Sequence, residues 1–206
     1  MKQLAILGAS GHGRVIAEIA LSTDWDSVDF FDDSFPVKTS LGGCSIAGGL
    51  DKLLEKSNSY DGFHVAIGDN RTRLNILHQL LRLGLPCPNI TANSAVVSQS
   101  VSLGLGISIM ENVVVNANAK LGDGVILNTS CSVDHDCNIA PGAHISPGAH
   151  LAGDVSVGIC SWVGIGSAII QGKVIGDDSI IGAGSVVISN IPSSVTTVGV
   201  PSKIIK

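Results

Sequence analysis

From Val97 to Val187, every sixth residue is Leu, Ile or Val without a break, and the positions between are mostly polar, small or glycine. Four residues after these positions the side chain is again small or aliphatic: Ile107, Val113, Ala119, Val125, Cys131, Cys137, Ala143, Ala149, Val155, Ser161 and Ser167, with Lys173 as the exception. A period of six matches neither the repeat of a helix nor the alternation of a single strand. It matches short strands separated by corners, each strand burying one aliphatic side chain at the same point of its path. Gly122-Asp123-Gly124, Gly176-Asp177-Asp178 and Gly182-Ala183-Gly184 supply residues that accept the backbone angles of a corner. Three hexads close a triangular coil of about 18 residues, so the pattern predicts about five coils, each burying its aliphatic layer against its neighbours.

The chain before the hexads is patterned differently. Gln3 to Leu7 reads as a buried strand, Gly8-Ala9-Ser10-Gly11-His12-Gly13 as a glycine-rich turn, and Val15 to Leu21 as the helix that follows it. A second strand, Val28 to Phe31, ends in Asp32-Asp33. A third, His64 to Ile67, leads into a helix that stops at Gly84, with Asp69 or Asn70 as its cap. Strands alternating with helices predict a small parallel sheet of Rossmann type. Pro86-Cys87-Pro88 forms a stiff junction, so the expected units are an α/β domain over 1–88 and a β-helix with its tail over 89–206.

With 45% hydrophobic but only 3% aromatic residues, aliphatic layers must supply most of the packing. A net charge of −5 argues against nucleic acid as a partner. No apolar run reaches membrane-spanning length, and LAILGA after a single Lys is too short for a signal segment. Five cysteines in no metal-ligand spacing suit buried thiols in a reducing, cytoplasmic setting. Cys131 and Cys137 fall on the small inward position and read as core rather than nucleophiles.

Two segments carry residues that packing does not require. A glycine-rich strand-to-helix turn lets backbone N–H groups approach a phosphate, and Asp32-Asp33 stands where nucleotide folds place a ribose or base contact. The spacing is G-x-x-G-x-G, unlike the G-x-G-x-x-G of dinucleotide folds. In the coils, Asp134-His135-Asp136 holds an imidazole between two carboxylates, either of which can fix its tautomer. An 18-residue coil stacks Gly153 on His135, which offers space and a reachable backbone N–H of the kind an oxyanion needs.

VGIGSA, IGDDSI and IGAGSV resemble the hexapeptide repeat of acyltransferases, whose fold is a left-handed parallel β-helix. GASGHG, FFDD, AIGDN, NTSCSVDHDCNI, the Gly-Ala-His run and the terminal VGVPSK extend the likeness across the chain. It resembles the sugar O-acyltransferases of the sialic-acid acetyltransferase type, and is most similar to the bacterial UDP-4-amino-sugar N-acetyltransferases of bacillosamine synthesis. The resemblance implies direct transfer from acetyl-CoA, without a metal, to the 4-amino group of a UDP-linked sugar. It implies His135 as general base, supported by Asp136, with Gly153 and His144 near the thioester and Lys203 at a phosphate of CoA. It assigns Ser10, Gly11, His12, Asp32 and Asp33 to the UDP-sugar, bordered by Asn70 and Arg71, and implies a homotrimer with sites between subunits. Three other readings stand beside it: O-acetylation of a sialic acid or similar sugar, a zinc-dependent hydration using His135, His144 and His150, and a non-catalytic trimeric scaffold.

Overall fold

The computed structural model describes residues 1–206. An α/β unit comes first, built from β1 (Gln3–Leu7), α1 (Gly11–Leu21), β2 (Ser27–Phe31), a hairpin of β3 (Ser40–Leu41) and β4 (Cys44–Ser45), α2 (Leu50–Glu55), β5 (Gly62–Val65) and α3 (Asn70–Arg82). Its three-stranded parallel sheet has the order β2-β1-β5. Helix α1 begins at Gly11, four residues before the predicted start, so Gly11, His12 and Gly13 form its first turn rather than a loop. The glycines allow this: a Cβ on Gly13 would lie 2.1 Å from the Gly8 carbonyl oxygen, and Gly8 itself has φ +112°. Helix α3 is capped by Asp69, whose carboxylate accepts the Thr72 N–H at 2.8 Å. The hairpin and α2 had no counterpart in the periodic pattern.

The rest of the chain is a left-handed parallel β-helix of about six turns, one more than predicted. Thr91 and Thr197 occupy hexad positions at its two ends, where the aliphatic pattern stops but strand pairing continues. The first face has eight strands, from Ile90–Thr91 through His144–Ile145 and Trp162–Val163 to Thr196–Val198, closed by the antiparallel Lys203–Ile204. The second face has six strands and includes Ser132–Val133 and His150–Leu151; the third has five. Pairing is in 18-residue register, as in Val115 with Val133 and Val133 with Leu151. The hexad residues and their small partners form one core of 24 buried side chains. Register passes through Lys173 without a bulge, because its carbonyl still accepts the Ser156 N–H at 2.9 Å. In the upper coils serines replace aliphatics, and their hydroxyls bond carbonyls, as Ser161 does with Gly176 at 2.6 Å.

One corner joins the two units. Gly106, Gly124 and Gly142 stack 18 residues apart between the third and first faces, all with φ between +62° and +71°. Their bare backbones seat α3: a Cβ on Gly106 would lie 2.7 Å from Leu77, and one on Gly142 3.2 Å from Leu74. Further along, the column changes to Cys160 and Asp178, where the helix start reaches it through Asn70 and Arg71. Arg73 is buried between the units with no acid beside it. Its guanidinium donates to the carbonyls of Gly124 (2.8 Å), Gly142 (2.7 Å) and Ile67 (3.0 Å) and to Asn70 Oδ1 (2.8 Å). Desolvation pulls its pKa down to about 10, so it stays charged at neutral pH.

Replacing Arg73 by Met keeps much of the volume but leaves these buried carbonyls unpaired, at an expected cost of about 3 kcal/mol. Chemical denaturation of the two proteins measures it, and equal stability would show that the carbonyls find other partners.

Candidate active site

His135 sits on the corner between the second and third faces, immediately after the strand Ser132–Val133. Its Nδ1 lies 2.8 Å from Asp136 Oδ2, which answers which aspartate supports the ring. Asp136 reaches this position because it adopts φ +61°, a left-handed conformation that Asp tolerates better than most residues. Asp134 has other work: its Oδ1 accepts the His135 backbone N–H at 2.8 Å and the Asn116 amide at 2.9 Å. An ionised carboxylate only accepts, so Nδ1 carries the proton and Nε2 presents its lone pair. The hydrogen bond to Asp136, aided by the charges of Asp134, Asp136 and Asp154, holds the imidazole pKa above its ordinary value.

The ring lies over Gly153. A Cβ at Gly153 would fall 2.5 Å from both Cε1 and Nε2, so only glycine leaves the imidazole its place. The Gly153 N–H makes no hydrogen bond within the protein. An unprotonated nitrogen and a spare backbone donor therefore stand side by side on one corner. This pairing can accept a proton and stabilise an oxyanion in the same step.

His144 lies elsewhere. It belongs to the first face, whereas the His135 corner is the vertex opposite that face, so within one protomer the two are separated by the body of the prism. His144 stacks on Trp162 with centroids 5.1 Å apart, and both line a groove of about 500 Å³ with Ile165 and Ile180. Asn128 Oδ1 accepts the Thr129 N–H, so its amide nitrogen donates to His144 Nε2 at 3.2 Å and leaves Nδ1–H buried without a partner. Lys203 is exposed at the far end of the same face. His135, His144 and His150 lie on one corner and two different faces, so they do not converge on a common point within the protomer.

At the α/β unit, the ends of β1, β2 and β5 surround a cavity of about 180 Å³ lined by Leu7, Gly8, Phe31, Asp32, Asp33 and Ile67. Ser10 and Gly11 are exposed at the start of α1, and no side chain caps that helix. Asp32 is already engaged, accepting the Ala9 N–H at 2.7 Å and the Ser34 N–H at 2.9 Å. Burial alone would raise its pKa, but the bonds from Ser34 and Ala9 hold it below the ordinary carboxylate value. It braces the turn, whereas Asp33 borders the cavity without such bonds. Asn70 and Arg71 do not join this group: the Asn70 amide bonds the Cys160 carbonyl at 3.0 Å, and Arg71 pairs with Asp178. Both are committed to holding α3 on the coils.

His12 turns from the glycine-rich turn toward the coils, near His64, His144 and Arg73. His64 donates from Nδ1 to the Pro88 carbonyl at 3.3 Å, and its Nε2 accepts from Ser108 at 2.8 Å. This seam of neutral imidazoles around Arg73 was not foreseen. Its signal was a His in an apolar strand and an Arg in helical register with Leu77 and Leu80. Burial, with the Arg73 charge adding to it, pulls His12 and His144 down to about 3 and His64 to about 4.

A prism of hexapeptide coils carrying a base-and-amide corner, fused to a nucleotide-type α/β unit, defines a β-helix acyltransferase. Comparison with known proteins narrows this. Residues 3–80 match the model of the PglD N-terminal domain. The chain is 36% identical to PerB of Caulobacter crescentus, solved with CoA and GDP-perosamine, with TM-score 0.95 over 100% of this chain and 98% of that one. It is 38% identical to the acetyltransferase domain of PglB from Neisseria gonorrhoeae, solved with acetyl coenzyme A, with TM-score 0.94 and 99% of each chain covered. WeeI from Acinetobacter baumannii shares the fold at 24% identity, with TM-score 0.89 and 100% of each chain covered. The chain belongs to the hexapeptide-repeat sugar acyltransferases, and it is an acetyltransferase. No helix is long and apolar enough to cross a membrane.

The buried histidines give a pH signature. Their native pKa values lie below the unfolded value, so between pH 6.5 and 4 the unfolded chain binds protons that the native seam refuses. Stability therefore falls with falling pH, each histidine contributing a slope of up to about 1.4 kcal/mol per pH unit. His135, exposed and shifted upward, works in the opposite direction but is a single group. Thermal melts from pH 7 to 4 check this, and a flat or rising melting temperature would contradict it.

Proposed function

We propose that this acetyltransferase moves the acetyl group of acetyl-CoA to the 4-amino group of a UDP-linked amino sugar, with His135 as general base. The observation that carries the reading is the imidazole seated over Gly153 with Nδ1 bound to Asp136. The neutral amine attacks the thioester carbonyl and Nε2 of His135 takes its proton as the C–N bond forms. The Gly153 N–H holds the oxyanion, and CoA leaves as the tetrahedral centre collapses. Neither an acyl-enzyme nor a metal is needed for this step. Burial raises the Cys131 thiol to about 12, consistent with a core role.

The relatives solved with CoA, acetyl-CoA and GDP-perosamine support a nucleotide-linked amino sugar as acceptor. Choice of uridine over guanosine rests on the cavity at the strand ends, whose 180 Å³ suits a single-ring base beside Asp33. Ser10, Gly11 and His12 would face the diphosphate at the start of α1. The location of His144 and the Trp162 groove, across the prism from His135, favours a homotrimer. There the first face of one subunit would meet the catalytic corner of the next, bringing His144 and Lys203 to the coenzyme.

His135→Ala should lower acetyl transfer by about a thousandfold while acetyl-CoA binding and assembly state persist. Gly153→Ala, which displaces the ring, should cost about a hundredfold. A His135→Ala rate equal to the parent would refute the base. CoA release measured with UDP- and GDP-linked 4-amino sugars and with free sialic acid ranks the acceptors. Preference for the guanosine sugar would overturn the uridine assignment, and preference for sialic acid would reassign the enzyme to O-acetylation.

A further inference from the structure

Beneath His135 the catalytic corner continues to Asn118. The corner column runs Asn118, Asp136, Asp154 and Gly172 at 18-residue intervals, with φ of 60°, 61°, 59° and 65°. Glycine would satisfy the backbone at each of these positions, so the side chains answer another need. Asn118 Nδ2 donates to Asp136 Oδ1 at 3.3 Å, while Asp136 Oδ2 receives the proton of His135 Nδ1 at 2.8 Å. Asn116 repeats the arrangement beneath Asp134 at 2.9 Å. Both acids flanking the imidazole are therefore held from the coil below by neutral donors.

Neutrality matters here. A lysine at this place would hold the carboxylate but cancel the charge that stabilises an imidazolium, and an acid would repel it. An amide fixes the carboxylate plane and leaves its charge intact.

We propose that Asn118 is a positioning residue for the reaction, the outer member of an Asn118–Asp136–His135 hydrogen-bond chain that fixes the tautomer and tilt of the base. The proposal rests on the reading of His135 as the base. Asn118 acts only through Asp136: it limits rotation of the carboxylate, which keeps Nδ1–H pointing inward and Nε2 over Gly153.

Two substitutions and one control test it, each in the full-length protein with acetyl-CoA and the preferred acceptor. Asn118→Gly keeps the positive φ and deletes the amide. We expect kcat to fall about tenfold, with both KM values within about twofold and folding unchanged. Asn118→Asp keeps the shape and adds a charge next to Asp136. It should stabilise the imidazolium and move the acid limb of the kcat/KM profile upward by about half a pH unit. An unchanged kcat in Asn118→Gly, or an unmoved acid limb in Asn118→Asp, overturns the proposal. So does a fall in kcat matched by loss of folded protein, which would make Asn118 structural. His135→Ala is the control: full activity there would sink the base reading, whereas its inactivity beside unaffected Asn118 variants would sink only this inference.

Discussion

Backbone hydrogen bonding between coils at a fixed interval of 18 residues is the constraint on which the rest of the molecule depends. It gives each aliphatic side chain a neighbour directly above and below, and so produces a continuous core from residues that no single coil could bury. The same register turns sequence distance into spatial contact. It places Gly153 under His135, Asn118 under Asp136, and the glycines that seat α3 in one column. Packing and chemistry are thus two uses of one ladder.

The prism was legible because its signal is redundant: a missing hexad residue, such as Lys173, does not erase the period. The stacking of Gly153 on His135 followed from arithmetic on that period. Less legible were features that depend on a second body. The seat of α3 needs knowledge that Leu74 and Leu77 face a particular corner, and the commitment of Asn70 and Arg71 to the coils follows from that seat. The start of α1 was placed late because glycines usually argue against helix, yet here they let its first turn pass close to β1. The extra turn was hidden by threonines at the hexad positions of both ends.

Histidine serves opposite purposes in the two parts of the protein. At the seam around Arg73 it is a neutral, buried, hydrogen-bonding ring whose proton affinity has been suppressed by burial. On the exposed corner the neighbouring carboxylates raise that affinity instead. Composition alone cannot separate these cases, since the difference lies in solvent access and in which groups face the ring. Spacing did separate them in part, because His135 stands at a corner whereas His64 lies within an apolar strand.

The column of bare glycines beneath α3 has a consequence for how such chains can diverge. Adding or deleting one whole coil between the helix seat and the catalytic corner would preserve every strand pairing, yet shift the chemistry along the prism axis by one rung, about 4.8 Å. The coil count below His135 is in that sense a ruler. It sets how far the acceptor-holding unit stands from the reacting nitrogen, in steps too coarse for side-chain movement to correct.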